Sequence, residues 1–401
     1  MTVAAATSER APFAASAFIR GPLPVWAALF ANVLAFSGLP TIFPIPGIVG
    51  QLITQTALVL ALALVFLANP AGVVRPSLVL ALLACLGIVA LVVSFHSDFP
   101  IGSVFRACRL IVVTMVLWLL TPWWGRSDLI LLRCHLTCLR IVMVTVLIGA
   151  LLAPGAAFSY GGRLSGALWP IPPTQVAHYA AVMLGCTVVL WFCGAIGGRT
   201  TLITFVGGSA ALAGTHTRTA LLAMFVALLV ASASLFVGHA RVRRTSALVG
   251  FVVVLAATTL GPLLREWALR GQTTQEAGQL TGRTKVWSAV FQLRRPPLEE
   301  LFGSGLSNKS FNGLPIDSNW VATYLDQGWF GISIEVMVLL SIVLLAITHP
   351  RGPRRAVALF LVTYCLIASI TETGLGDASP YLIEMVLAAS LLAAPPRTGG
   401  T

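Results

Sequence analysis

Apolar residues fill this chain in long blocks, broken at intervals by short runs of Gly, Pro and Arg. A helix that crosses a membrane needs about 20 mostly apolar residues. Blocks of that kind occupy 23–42, 47–68, 77–96, 101–121, 128–152, 173–193, 200–213, 218–237, 246–263, 318–347, 356–372 and 378–395. The pattern therefore predicts an all-α polytopic membrane protein with about twelve transmembrane helices. The block at 200–213 is short for a full crossing and is expected to be tilted or broken. Residues 1–22 and 396–401 read as tails and 23–395 as a single transmembrane domain. The N-terminus has no short apolar segment ending in a cleavage site, so the first block reads as an uncleaved anchor.

One stretch departs from the pattern. The polar loop 264–317, continued into the next block as far as Gly331, concentrates Arg283, Lys285, Arg294, Arg295, Glu299, Glu300, Lys309 and Asp317. Within it, Thr281 or Thr284 can cap a helix running to about Arg295. Val286, Val290 and Leu293 share one face of that helix, with Trp287 and Phe291 beside it. Such a helix is expected to lie on the membrane–water interface. Pro296 and Pro297 end it, and Gly303, Gly305 and Gly313 read as a flexible turn region.

Composition sharpens this picture. Of the 401 residues 57% are hydrophobic and 9% charged, and mean hydropathy is +0.92. A soluble domain carries about 25% charged residues. The net charge of +12 is scattered between apolar blocks, which excludes a nucleic-acid surface and fits positive-inside anchoring together with an anionic substrate. With the N-terminus inside, the inner loops hold Arg75, Arg126, Arg199, Arg241, Arg243, Arg244, Arg351, Arg354 and Arg355. The short outer loops then hold Arg163 and Arg218 with Asp98, Glu372 and Asp377, and 264–317 is expected outside. The seven cysteines fall in or beside apolar blocks without a CxxC pair, and read as small buried hydrophobes.

The chemistry on offer is narrow. There is no DxD, HExxH, P-loop or GxGxxG, and the six histidines lack ligand-like spacing, so neither a metal nor a cofactor is expected. What remains is arginine near the outer surface: Arg106, Arg109, Arg163, Arg218 and Arg283. Arginine in or near lipid is costly and calls for an anionic partner. Outer acids are too few to pair them all, so a bound phosphate or diphosphate would supply the missing charge. Arg106 and Arg109 can equally snorkel to the interface, and Arg133 and Arg140 read as structural or as snorkelling inward. Arg218 and Arg283 each sit at a predicted helix start, where a basic side chain opposes the macrodipole unless an anion binds there. Asp317 can cap the following helix or act as a general base, and Asp326 reads as a carboxylate facing the bundle interior.

Four segments carry a resemblance: RLSGALWPIPPTQVAHYA (163–180), THTRTALL (215–222), TGRTKVWSAV with LFGSGL (281–290 and 301–306), and DSNWVATYLDQGWFG (317–331). In order and spacing they resemble motifs of the O-antigen ligase and O-antigen polymerase superfamily of integral-membrane glycosyltransferases. Many members of that family have His where this chain has Asp317. The resemblance implies a GT-C-like bundle in a bacterial plasma membrane. It also implies a polyprenyl-diphosphate-linked glycan donor and a glycan or glycolipid acceptor. Transfer to an acceptor hydroxyl would proceed without metal on the outer face. Asp317, Arg218 and Arg283 would then be catalytic, and Arg163, Arg106, Arg109, Lys285, Trp287 and Asn319 substrate-binding. A transporter or flippase of a lipid-linked anion is the rival reading; it should show related halves and broken helices. The sequence has no internal repeat.

Overall fold

The computed structural model describes residues 21–245, 259, 283–307 and 309–395. Apart from Thr259, the expected span at 246–263 and the loop residues 264–282 lie outside the described residues, as does Thr281.

The described chain is helical. Its helices are α1 (Leu23–Val33), α2 (Gly47–Ala68), α3 (Leu78–Ser94), α4 (Pro100–Leu119), α5 (Ile130–Leu152), the single turn α6 (Pro154–Ala157), α7 (Pro173–Phe192), α8 (Gly198–Thr215) and α9 (Arg218–Leu235). After the polar loop's helices α10 (Arg283–Gln292) and α11 (Pro297–Phe302) come α12 (Asn319–Thr348), α13 (Pro353–Ala368) and α14 (Pro380–Leu392). Helices α2, α4, α5, α7, α9 and α12 are each long and apolar enough to cross a membrane, and α1, α3 and α14 are shorter apolar helices. Large apolar side chains stay exposed on the outside of the bundle, among them Leu52, Phe66, Ile101, Leu202 and Val206. In water that surface would be untenable; facing lipid it is the expected one. Helix α7 is buried almost throughout and forms the centre, with Gly185 against the ring of Phe360 where any side chain would collide.

Several expectations change. The first block is helical only to Val33, because Pro40, Pro44 and Pro46 follow and cannot continue a helix. The block at 200–213 is an unbroken helix, α8, slightly longer than the apolar run. Cys85 and Cys108 are exposed, whereas Cys134, Cys138, Cys186 and Cys365 are buried; all seven cysteines are free thiols.

The largest departure is in α12, which breaks at Gly328 (φ +64, ψ −163). The break frees carbonyls that the link between α10 and α11 and the segment after α11 satisfy. Arg295 donates to Tyr324 O (3.1 Å) and Leu325 O (3.2 Å) and stacks on the Tyr324 ring at 4.2 Å. The amides of Ser304 and Gly305 donate to Leu325 O and Asp326 O, both at 3.0 Å. A Cβ on Gly303 would collide with Asp326, and one on Gly328 would meet Leu301, so both glycines are where backbone meets backbone. Non-helical backbone at membrane depth persists only where protein covers it. The region around Gly303 and Gly305 is thus a clamp on α12 rather than a flexible turn.

Helix α10 also differs from expectation. Thr284 is its second residue, not its cap, and Val290 is buried with Val286 and Trp287 against Ile316, Val321 and Tyr324. Its inner edge packs on the protein; Phe291 and Leu293 remain exposed. Beyond α11, Ser310–Phe311 pairs with Leu314–Pro315 across Asn312-Gly313, both at positive φ (51° and 78°). Asn-Gly with positive φ at both central positions is the favoured two-residue hairpin turn.

Candidate functional site

Several helix ends near the polar loop contribute to a polar cluster. Arg163, in the loop between α6 and α7, donates from Nε to Thr215 O (2.9 Å) and from Nη2 to Thr217 Oγ1 (3.0 Å). The RLSG and THTR segments are therefore joined at the turn between α8 and α9, where His216 takes the left-handed conformation (φ 51°). Arg218 is the first residue of α9, behind a Thr217 cap position. Its neighbour Thr219 accepts a hydrogen bond from Thr371 Oγ1 at 2.9 Å, which ties the α13–α14 loop to this turn.

Arg283, the first described residue of α10, donates from Nε to Asp317 Oδ2 at 3.0 Å. Glu372, four residues past α13, lies in the field of Arg283, Asp317 and Arg163. Burial pushes the Glu372 carboxyl up to about 7; Arg283 and Arg163 pull against that rise and Asp317 adds to it. Glu372 is half-buried, so solvent or substrate reaches it. Three of the arginines expected from sequence thus belong to one end of the bundle, and the charges of Arg163 and Arg283 both act on Glu372.

Asn319 holds this arrangement together. Its side chain is buried, donates to Glu335 Oε2, and accepts from the amides of Gly374 (3.0 Å) and Leu375 (2.8 Å). Glu335 also accepts from Thr323 Oγ1 at 2.8 Å. The loop carrying Glu372 is thereby pinned to the start of α12. These contacts fill both acceptor positions of the Asn319 amide oxygen and one of its two N–H donors.

A second cluster adjoins the first. The Asn312-Gly313 hairpin presents Lys309 to Asp377, Nζ to Oδ2 at 3.2 Å. Burial works to raise the Asp377 carboxyl, yet Lys309, Arg109 and the Ala378 amide hold it below the usual carboxylate range. Arg109 donates to Asn32 Oδ1 (3.2 Å) and Asn32 O (2.9 Å) on α1, with Arg106 close enough to repel it. Arg109 is therefore anchored in the bundle instead of reaching outward, and Arg106 is half-buried on the same helix. Lys285 is exposed on α10, and Trp287 is half-buried against α12. Asp326 faces the interior, as its position predicts.

Sequence spacing does not point to Glu372, which reads as one acid in a short interhelical loop. It also hides a core network. His178 Nε2 lies 3.0 Å from Glu384 Oε1 and His135 Nε2 lies 3.7 Å from it. Trp26 Nε1 donates to His135 Nδ1 (3.4 Å), and Tyr364 OH is 3.2 Å from His178 Nδ1. Histidines that look scattered along the chain meet on one buried carboxylate because α5, α7 and α14 pack together. The chain matches no protein-family model and no curated protein.

Proposed function

We propose that this protein is a membrane glycosyltransferase that moves a glycan from a polyprenyl-diphosphate-linked donor to an acceptor hydroxyl on the outer face of a bacterial plasma membrane. The observation that carries the reading is Arg283 on α10, paired with Asp317, with its charge and that of Arg163 acting on Glu372. Guanidinium groups bind diphosphate bidentately, and fixed positive charge stabilises the charge that develops as the diphosphate leaves. A sugar diphosphate needs no further activation of its leaving group. About twelve spans and an extracytoplasmic polar loop belong to the same reading, resting on the apolar blocks and the arginine asymmetry of the short loops.

The step is a displacement. The acceptor oxygen forms a bond to the donor's anomeric carbon, and the bond from that carbon to the diphosphate oxygen breaks. The diphosphate leaves with the electron pair onto Arg163, Arg218 and Arg283. The hydroxyl proton passes to a carboxylate. Glu372 is the better acceptor, because a group poised near 7 is about half unprotonated at neutral pH yet basic enough to take a proton. Asp317, held by Arg283, orients that arginine. The donor's tail lies between helices.

The broken helix favours the rival transporter, since discontinuous helices mark many transport sites. Its freed carbonyls, however, are taken by Arg295, Ser304 and Gly305, leaving little to coordinate a cargo ion. Deleting the gene and analysing lipid-linked intermediates tests the enzyme reading. Accumulated carrier-linked glycan with loss of the mature envelope glycan supports it. Unchanged intermediates and glycan would contradict it, and accumulation confined to the inner leaflet would favour the flippase.

A further inference from the structure

The opposite end of the bundle holds a cleft that the glycosyltransferase reading does not use. It encloses about 450 Å³ between α5, the end of α7 and the start of α8. Arg133, Thr137 and Arg140 line it from α5, and Ile196, Gly197 and Thr200 from the α8 side. The three α5 residues are spaced i, i+4, i+7, so they form one stripe. Arg140 stands about 15 Å along α5 from its start, by the helical rise, well within the apolar part.

No Asp or Glu lines this cleft among the described residues. The acid at this end of α5, Asp128, is already paired with Arg126 at 3.0 Å. Arg140 Nε is buried without a hydrogen-bond partner among the described residues. A guanidinium at membrane depth with an open donor calls for an anion. A larger cleft of about 610 Å³ between α3, α12 and α14 shows the contrast: its Arg75 is spent on Trp124 O (2.9 Å) and Ala394 O (2.6 Å).

The cleft is also amphipathic along its length. The α5 stripe continues to Val144, which is 53% exposed, and on α8 Ile203 is 64% exposed. The amides of the first turn of α8 have no side-chain cap and add positive potential at the polar end. Arginine, free amides and threonine hydroxyls at one end, with exposed apolar side chains beyond, match a phosphate attached to a hydrocarbon chain rather than a free ion.

We propose that this cleft binds the phosphate of an anionic phospholipid, with an acyl chain lying along Val144 and Ile203. The arginine-rich short loops around it, Arg126, Arg199 and Arg241, would draw such lipids to the same leaflet. The site is remote from Arg283 and Glu372, so it stands or falls independently of the proposed reaction.

The test is native mass spectrometry of the delipidated full chain in neutral detergent. Phosphatidylglycerol, phosphatidylcholine and inorganic phosphate are added in separate arms to wild type, Arg140→Gln and Thr200→Glu. Thr200 is exposed in the first turn of α8, where an acid suits the helix, so Thr200→Glu is expected to fold while repelling an anion from the rim. The expected result is retention of phosphatidylglycerol by wild type and weakening by about tenfold in each variant, the loss of one charge-assisted hydrogen bond. Wild-type retention of phosphatidylglycerol in Thr200→Glu overturns the proposal, and this variant decides alone if Arg140→Gln does not fold. Equal retention of phosphatidylcholine, or Arg140-dependent binding of inorganic phosphate instead of lipid, overturns it as well.

Discussion

The two ends of this bundle both carry arginine but use it differently. At the end away from the polar loop, most of the arginines meet backbone, Arg126 with Asp128 being an exception. Arg75 holds Trp124 O and Ala394 O, Arg241 holds Trp191 O, Arg354 holds Gly125 O, and Arg355 holds His349 O. These carbonyls lie at or just past helix C-termini, where orphan acceptors and the negative end of the macrodipole favour a cation. At the loop end some arginines also hold carbonyls, as Arg163 and Arg295 do, but here carboxylates join in: Arg283 pairs with Asp317, Lys309 with Asp377, and Glu372 lies within the field of two arginines. A carbonyl cannot change its charge, whereas a carboxylate can. Arginine at the first end completes helices; at the second it shapes groups able to take protons and bind anions.

Substitutions at the loop end should therefore act on turnover, and at the other end on stability. The largest effect is expected for Arg283→Ala, a loss of about 10²- to 10³-fold in release of the diphosphate carrier from donor, as for removal of one group that stabilises a developing negative charge. Arg283→Lys should also be impaired, because lysine lacks the bidentate fork. Full activity in Arg283→Ala would erase the difference between the two ends.

A smaller effect is expected for Asp317→Asn. The pair with Arg283 is partly exposed, 41% on the Asp317 side, and such pairs contribute about 0–1 kcal/mol, so turnover should drop by about fivefold at most. A loss as deep as that of Arg283→Ala would return the proton-accepting role to Asp317.

The smallest effect on turnover is expected for Arg354→Gln. Thermal unfolding in detergent should show destabilisation by about 1 kcal/mol, with carrier release unchanged. Reduced turnover at wild-type stability would mean that this end, too, takes part in the chemistry.

The contrast explains what the sequence makes legible. Apolar blocks report α2, α5 and α9 well, because lipid demands uninterrupted helix. The arginines of the short loops are equally plain. The break at Gly328 is not, since a glycine inside an apolar run is compatible with either a helix or an interruption, and only the approach of Leu301 decides. The Asn312-Gly313 hairpin carries its own turn signal, yet its consequence, Lys309 on Asp377, depends on where α14 begins. Asp317 stands out beside a polar loop; Glu372 acquires its character only when α10 and the α6–α7 loop bring Arg283 and Arg163 to it. The His135–Glu384–His178 contact is illegible for the same reason, three helices meeting far apart in sequence.

The central claim is that Glu372 accepts the acceptor's proton at the loop end, and the most direct test is the pH dependence of carrier release. A base must be unprotonated to act. Wild-type rate should therefore rise with pH and level off through about 7, the value to which burial lifts Glu372. Glu372→Gln should fold normally, lose about 10²- to 10⁴-fold in rate, and lose that rising limb. A Glu372→Gln enzyme with the wild-type rate and the same limb near 7 would contradict the account.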